Sequence, residues 1–227
     1  MAEDDETTDH GSRGDDDRAV GRTLALSDGI FAIAMTLVAF QIQLPAAGPP
    51  LSPSGLTRLL TGSQLEDHYV AYLITFAVIG LFWLSHHRLF RHIVRADDAL
   101  MLVNLLFLMA VAAVPFPTAV LGRYGSERPA VLLYASTMAV TGCLMGALTV
   151  VAHRRGLMAP GTTVESLRQG LWRSGSAVAV FTLSIPLAFV SPTITPYMWL
   201  LLLPLRFFDP TGRKKSRRRR GAPSCPV

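Results

Sequence analysis

Apolar blocks, each about as long as a bilayer is thick and nearly free of charge, recur along this 227-residue chain and limit what it can fold into. A helix of about 20 apolar residues crosses a hydrocarbon core of roughly 30 Å. In doing so it satisfies its own backbone polar groups. Such blocks run from Thr23 to Leu44 and from about Tyr69 to Leu89, Ala99 to Leu121 and Ala130 to Ala152. Two shorter ones follow, at about Ser174 to Val190 and Pro196 to Phe208, the last with Pro204 near its end. Half of the residues are hydrophobic and only 16% are charged, against about a quarter in soluble domains. The expected fold is an all-α integral membrane protein with six transmembrane helices per chain.

The basic residues support that count. With both termini in the cytoplasm, Arg13, Arg18 and Arg22 lie inside. So do Arg88, Arg91 and Arg95 after the second span, and Arg154, Arg155, Arg168 and Arg173 after the fourth. The tail adds Arg206 and the run from Arg213 to Arg220, leaving only Arg58, Arg123 and Arg128 outside. Lys and Arg near span ends set orientation, and an odd number of spans would break the pattern. Residues 1–21 form an acidic tail with almost no apolar content, expected to be disordered. It is the opposite of a secretory signal, which starts basic. Residues 22–208 make the transmembrane domain and 209–227 a basic cytoplasmic tail. That tail is expected to touch anionic lipid head groups rather than nucleic acid.

Between the spans, Pro45 to Pro53 reads as an outer loop leading into a short interfacial helix over Ser54 to Leu65. Residues 91–98 are a tight turn, so the second and third spans are antiparallel neighbours. Pro115 and Pro117 are expected to kink or end the third span. His153 to Gln169 is the longest inner loop. Cys143 and Cys225 have no neighbours with metal-ligand spacing. No internal repeat is visible, so pore symmetry would have to come from several copies of the chain.

Two segments carry unusual chemistry. In the first span, Arg22, Ser27 and Asp28 precede a long uncharged run. An ionised group within a span is expensive and normally faces protein or water. At about 100° per residue, Ile33, Leu37 and Phe40 form one stripe with Thr36 on its edge, while Asp28 lies on another face with Ala32. By periodicity alone that stripe faces lipid or core. The second segment, Trp83-Leu-Ser-His-His-Arg-Leu-Phe90, ends the second span. Adjacent His86 and His87 point about 100° apart, which is poor metal-ligand spacing. Trp at a membrane boundary is common.

The sequence Arg22-Thr-Leu-Ala-Leu-Ser-Asp28 resembles the Arg-x-x-x-Phe-Ser-Asp signature of the transmembrane protein 175 family, potassium channels of lysosomes and prokaryotes. Trp83-x-x-His-His, Asn104 and Pro115-Phe116 resemble it too, so the likeness covers about Arg22 to Leu121. The resemblance implies a homo-oligomer, a tetramer, whose pore is lined by the first helix of each subunit, with potassium as permeant ion and no cofactor. It places the main constriction at Ile33, further apolar layers at Leu37 and Phe40, and a threonine layer at Thr36. It assigns Arg22, Ser27, Asp28, Trp83, His87 and Asn104, with His86 alongside, to a polar network that holds the pore helix. Leu26 departs from the family's Phe. A hydrophobic ring gates by excluding water until it widens, and no Thr-Val-Gly-Tyr-Gly filter is present. The expected protein is a channel in the cytoplasmic membrane, not an enzyme.

The rival within this class is a proton leak. A haem or quinone oxidoreductase would have to use His68, His86, His87 or His153, and no opposed pair at bis-histidine depth is visible. A lipid-modifying enzyme would need a Ser-His-Asp or paired-carboxylate set at one depth, and none is visible.

Overall fold

The computed structural model describes residues 4–42, 52–60, 62–162 and 164–202. Among these the chain is helical, with one isolated β-bridge. In chain order the helices are α1 (Asp4–Ala39), α2 (Pro53–Leu60), α3 (Ser63–Phe90), α4 (Asp98–Ala113), α5 (Pro115–Tyr124), α6 (Arg128–Arg154), α7 (Val164–Val190) and α8 (Thr195–Met198), the last running into a 3-10 turn at Trp199–Leu201. Five stretches are long and apolar enough to cross a bilayer: Arg18–Ala39, His68–Phe90, Asp98–Tyr124, Arg128–Arg154 and Val164–Val190. The expected sixth block begins with α8 and the 3-10 turn, and its remainder, 203–208, lies outside the described residues. So does the basic run at 213–220. Among the described residues the crossings number five.

Two helices start earlier than the apolar blocks did. α1 begins at Asp4, so the acidic segment expected to lack structure continues the helix. Acidic residues suit a helix N-terminus, where the backbone dipole favours negative charge, and no proline interrupts the run. Asp16 also pairs with Arg95 at 3.3 Å. Exposed pairs of this kind contribute under about 1 kcal/mol, so the contact locates the segment more than it stabilises it. α7 begins at Val164, ten residues before the apolar block, its first turns polar yet helical.

Pro115 divides the third span into α4 and α5, as its missing N–H requires. The joint is tied by a buried hydroxyl chain. The Thr118 hydroxyl lies 2.9 Å from the Val114 carbonyl and 3.2 Å from Thr75 Oγ1, which is 3.0 Å from the Tyr134 hydroxyl. Thr118 is the donor, its hydroxyl placed between the Val114 carbonyl and Thr75 Oγ1, and Thr75 and Tyr134 share one further hydrogen bond. Three helices are thereby linked at buried positions.

α4 packs between α1 and α6, α3 lies against α1 and α5, and α7 lies along α6. Phe107, Leu108, Tyr134, Met138, Leu148 and Phe181 are wholly buried. Trp199 stacks on Tyr134 at 4.5 Å, sealing the far end of the bundle. α6 and α7 approach closely through small residues. A Cβ added at Gly142 would come within 2.9 Å of Val178 Cγ2, and one at Gly170 within 3.0 Å of Thr149 Cγ2. Gly142→Val should therefore push α7 off α6 and lower stability by roughly 1–3 kcal/mol. Thermal unfolding in detergent checks this, and an unchanged midpoint would contradict the packing.

On one side of the bundle the α3–α4 and α6–α7 connections are pinned together. Val94 N–H donates to Leu157 O at 2.9 Å and Ala159 N–H to His92 O at 2.7 Å. Asp97 caps α4 through Leu100 N–H and accepts from Arg155 at 3.1 Å. α6 ends in a left-handed Gly156, φ 66°. There the Leu157 N–H reaches Ala152 O at 3.1 Å and the Gly156 N–H reaches His153 O at 3.2 Å. This is the Schellman stop.

Candidate permeation helix and its polar support

The two faces of α1 have opposite surroundings. Phe31, Ala34 and Val38 are buried against the neighbouring helices. On the other side Ile33 is 61% exposed, Leu37 43% and Phe40 71%. Thr36 is exposed beside them, its hydroxyl donating to Ala32 O at 2.8 Å, which leaves the oxygen lone pairs as what it offers outward. Leu26 is 56% exposed on the same side. An uncharged stripe of this length on a helix otherwise packed into the core faces lipid or another protein surface.

The buried side of α1 is held by polar bonds to α3 and α4. Ser27 donates its hydroxyl to Thr23 O at 2.8 Å, and its oxygen accepts from Asn104 Nδ2 at 3.2 Å. Asn104 Oδ1 lies 2.8 Å from His86 Nε2, so the imidazole donates from that nitrogen. All donors in this relay point the same way, from α3 through α4 to α1. That direction fixes both the amide orientation and the histidine tautomer. Its other nitrogen, Nδ1, is buried without a hydrogen bond among the described residues. The His86 ring is clamped by Phe90 at 4.3 Å, Phe107 at 5.6 Å and Phe31 at 5.7 Å. A separate bond runs from Trp83 Nε1 to Asp28 Oδ1 at 2.8 Å.

Five of the seven expected network residues thus meet as hydrogen-bond partners: Ser27, Asp28, Trp83, His86 and Asn104. Two do not. His86, rather than His87, is the histidine bonded to Asn104, because the turn of α3 aims it at α1 and α4. His87 instead packs beside the Trp83 ring at 5.5 Å, with its Nδ1 buried and unbonded among the described residues. Arg22 is exposed. At about 100° per residue it lies above Leu26, Ile33 and Phe40, away from Ser27. The Tyr134, Thr75 and Thr118 chain was not anticipated. Its only sequence signal was hydroxyls within spans, which are common.

His68 and His86 lie at opposite ends of α3, about 27 Å apart, and His86 is enclosed by aromatic rings. That arrangement does not fit a porphyrin between them. Among the described residues no group of three His, Cys, Asp or Glu is placed to hold a metal ion.

The family profile described as the endosomal/lysosomal potassium channel TMEM175 matches residues 22–115, the stretch containing the stripe and every member of the relay. A Streptomyces collinus protein named as a potassium channel is 39% identical over 180 residues, covering 77% of this chain and 85% of that protein. The chain belongs to the TMEM175 family. A crystal structure of a lysosomal potassium-selective channel TMEM175 homolog from Chamaesiphon minutus superposes with TM-score 0.70 and 27% identity. The match covers 86% of this chain and 99% of that one. A Danio rerio member named as an endosomal/lysosomal proton channel is 29% identical over 130 residues, 57% of this chain but only 24% of that protein. The TMEM175 family consists of multi-pass membrane channels, and this chain is accordingly a potassium channel and not an enzyme.

Proposed function

We propose that this protein is a potassium-permeable leak channel of the bacterial cell membrane. It is a homotetramer in which α1 of each subunit lines the pore. The observation that carries this is the apolar stripe of α1, exposed at Ile33, Leu37 and Phe40 while the opposite face is packed into the core. Gly29 supports it. A Cβ there would meet nothing within 4 Å, although glycine costs a helix about 1 kcal/mol relative to alanine. A face on which helices of several subunits converge gives that glycine a use.

In this reading Ile33 forms the narrowest ring, Leu37 and Phe40 form further apolar layers, and Thr36 presents hydroxyl oxygens beside them. A ring of this kind conducts only when wide enough to stay wet. Ser27, Asp28, Trp83, His86 and Asn104 hold the pore helix in register and touch no permeant ion. Both termini lie in the cytoplasm, with the apolar block from about Pro196 to Phe208 as the sixth crossing. Six crossings keep the basic run Arg213 to Arg220 on the same side as Arg13, Arg18 and Arg22, as the placement of basic residues favours.

A second reading, proton conduction, is favoured by the name of the Danio rerio relative, of which this chain matches only a minor part. Liposomes with separate potassium, sodium and proton gradients distinguish the two. The expected result is potassium flux exceeding sodium flux. Folded, inserted protein that holds a potassium gradient indefinitely would refute the channel reading, and proton flux alone would favour the second.

A further inference from the structure

We propose that Arg22 sorts cations by valence at the cytoplasmic entrance of the pore. Four copies form a cationic ring that admits potassium and holds back magnesium and other divalent cations. The inference rests on the pore reading of α1 and adds a charge filter below its apolar rings. Arg22 is exposed and has no ion-pair partner among the described residues. It stands eleven residues before Ile33, which at about 100° per residue returns it to within about 20° of the same line. Leu26 and Gly29, both exposed, lie between them close to that line. A rise of about 1.5 Å per residue sets its Cα roughly 16 Å toward the cytoplasm from Ile33.

The carboxylates nearest to it are engaged elsewhere. Asp28 lies about 120° round the helix and accepts from Trp83 Nε1 at 2.8 Å. Asp16 pairs with Arg95 at 3.3 Å, and Arg18, one turn below Arg22, has a partner of its own. The acidic run from Asp17 back begins about 8 Å below Arg22 along α1, roughly a Debye length at physiological salt. That run gathers cations at the entrance, divalent ions most of all, and the ring above it sorts them. An ion of charge z feels the ring's potential z times over. A ring that lowers potassium entry by some factor therefore lowers magnesium entry by the square of that factor. One sign of charge in a narrowing mouth readily gives a potential above kT, so about threefold for potassium becomes about ninefold for magnesium. Potassium current changes less than that, because its passage is limited at the Ile33 ring. Magnesium sheds its water reluctantly, so any that reaches the apolar ring lodges there and blocks. Arginine suits the position because it stays charged at every physiological pH.

The test records potassium current through the full-length channel in planar bilayers while magnesium is added on the cytoplasmic side. The parent should be blocked weakly. Arg22→Gln should be blocked at about ninefold lower magnesium, with potassium conductance raised by no more than about threefold. Arg22→Lys keeps the charge without the guanidinium fork and should behave as the parent. Arg22→Cys, with Cys143 and Cys225 replaced by serine, lets charge be returned after assembly. A cationic thiol reagent should restore weak block and an anionic one should deepen it. The proposal is overturned if Arg22→Gln has the magnesium sensitivity of the parent, or if Arg22→Lys behaves like Arg22→Gln. Failure of both the glutamine and cysteine variants to assemble also overturns it, since Arg22 is then a structural residue. The pore reading fails separately. An inert thiol in Ile33→Cys sinks both, whereas block at Ile33→Cys without a magnesium effect at Arg22 sinks only the valence filter.

Discussion

Ile33→Ala is expected to raise conductance severalfold and to weaken the preference for potassium over sodium. In the proposed tetramer four copies of Ile33 converge on the axis and would present a ring whose width is set by their branched side chains. Removing those branches widens the ring and lets water remain in it, so the barrier falls for every small cation. Potassium loses hydration water more readily than sodium, so its advantage shrinks once neither ion has to shed much. Leu37→Ala should act in the same direction but less, because a second apolar layer is not the narrowest point. Single-channel recording on both variants checks the order of effects. Were the stripe to face lipid, both would leave permeation unchanged and lose only packing.

The second large effect concerns stability. Asn104→Ala removes the residue that accepts from His86 and donates to Ser27. It strands the buried His86 Nε2–H, at roughly 1–3 kcal/mol, while the Ser27 hydroxyl keeps its bond to Thr23 O. Interhelical hydrogen bonds within membranes are commonly worth only about 0.6 kcal/mol, so loss of the bonds alone would be modest. The stranded donor and the lost volume beside Phe107 make the difference. Asp28→Ala should destabilise less, since it frees only the Trp83 indole N–H, and Asp28→Asn should recover most of that by keeping an acceptor oxygen. Thermal unfolding and retention of the proposed tetramer in detergent are the measurements. An Asn104→Ala protein as stable as the parent but altered in ion preference would contradict a purely supporting role.

How much was legible in the sequence follows from which forces act locally. Apolar block length revealed the first four spans to within a few residues, because the requirement to satisfy backbone groups in lipid leaves little choice. It misplaced the start of α7, whose first turns are polar yet helical, and likewise the start of α1 among the acidic residues. Ser27, Asp28, Trp83 and Asn104 were found through the motif. The choice between His86 and His87 was not open to sequence reasoning, since one residue of rotation decides which imidazole meets Asn104. Arg22, by its spacing from Ser27, lies on the exposed side of the helix, apart from the bonded set.

The central claim is that the exposed stripe of α1 lines a water-filled path. The Ile33→Cys variant, in protein where Cys143 and Cys225 are replaced by serine, tests it most directly. The account predicts that a water-soluble thiol reagent added from the aqueous side progressively blocks potassium current, with rates that fall when the channel is closed. An Ile33→Cys protein that conducts normally, and whose introduced thiol stays inert to the reagent with current unchanged, would contradict it.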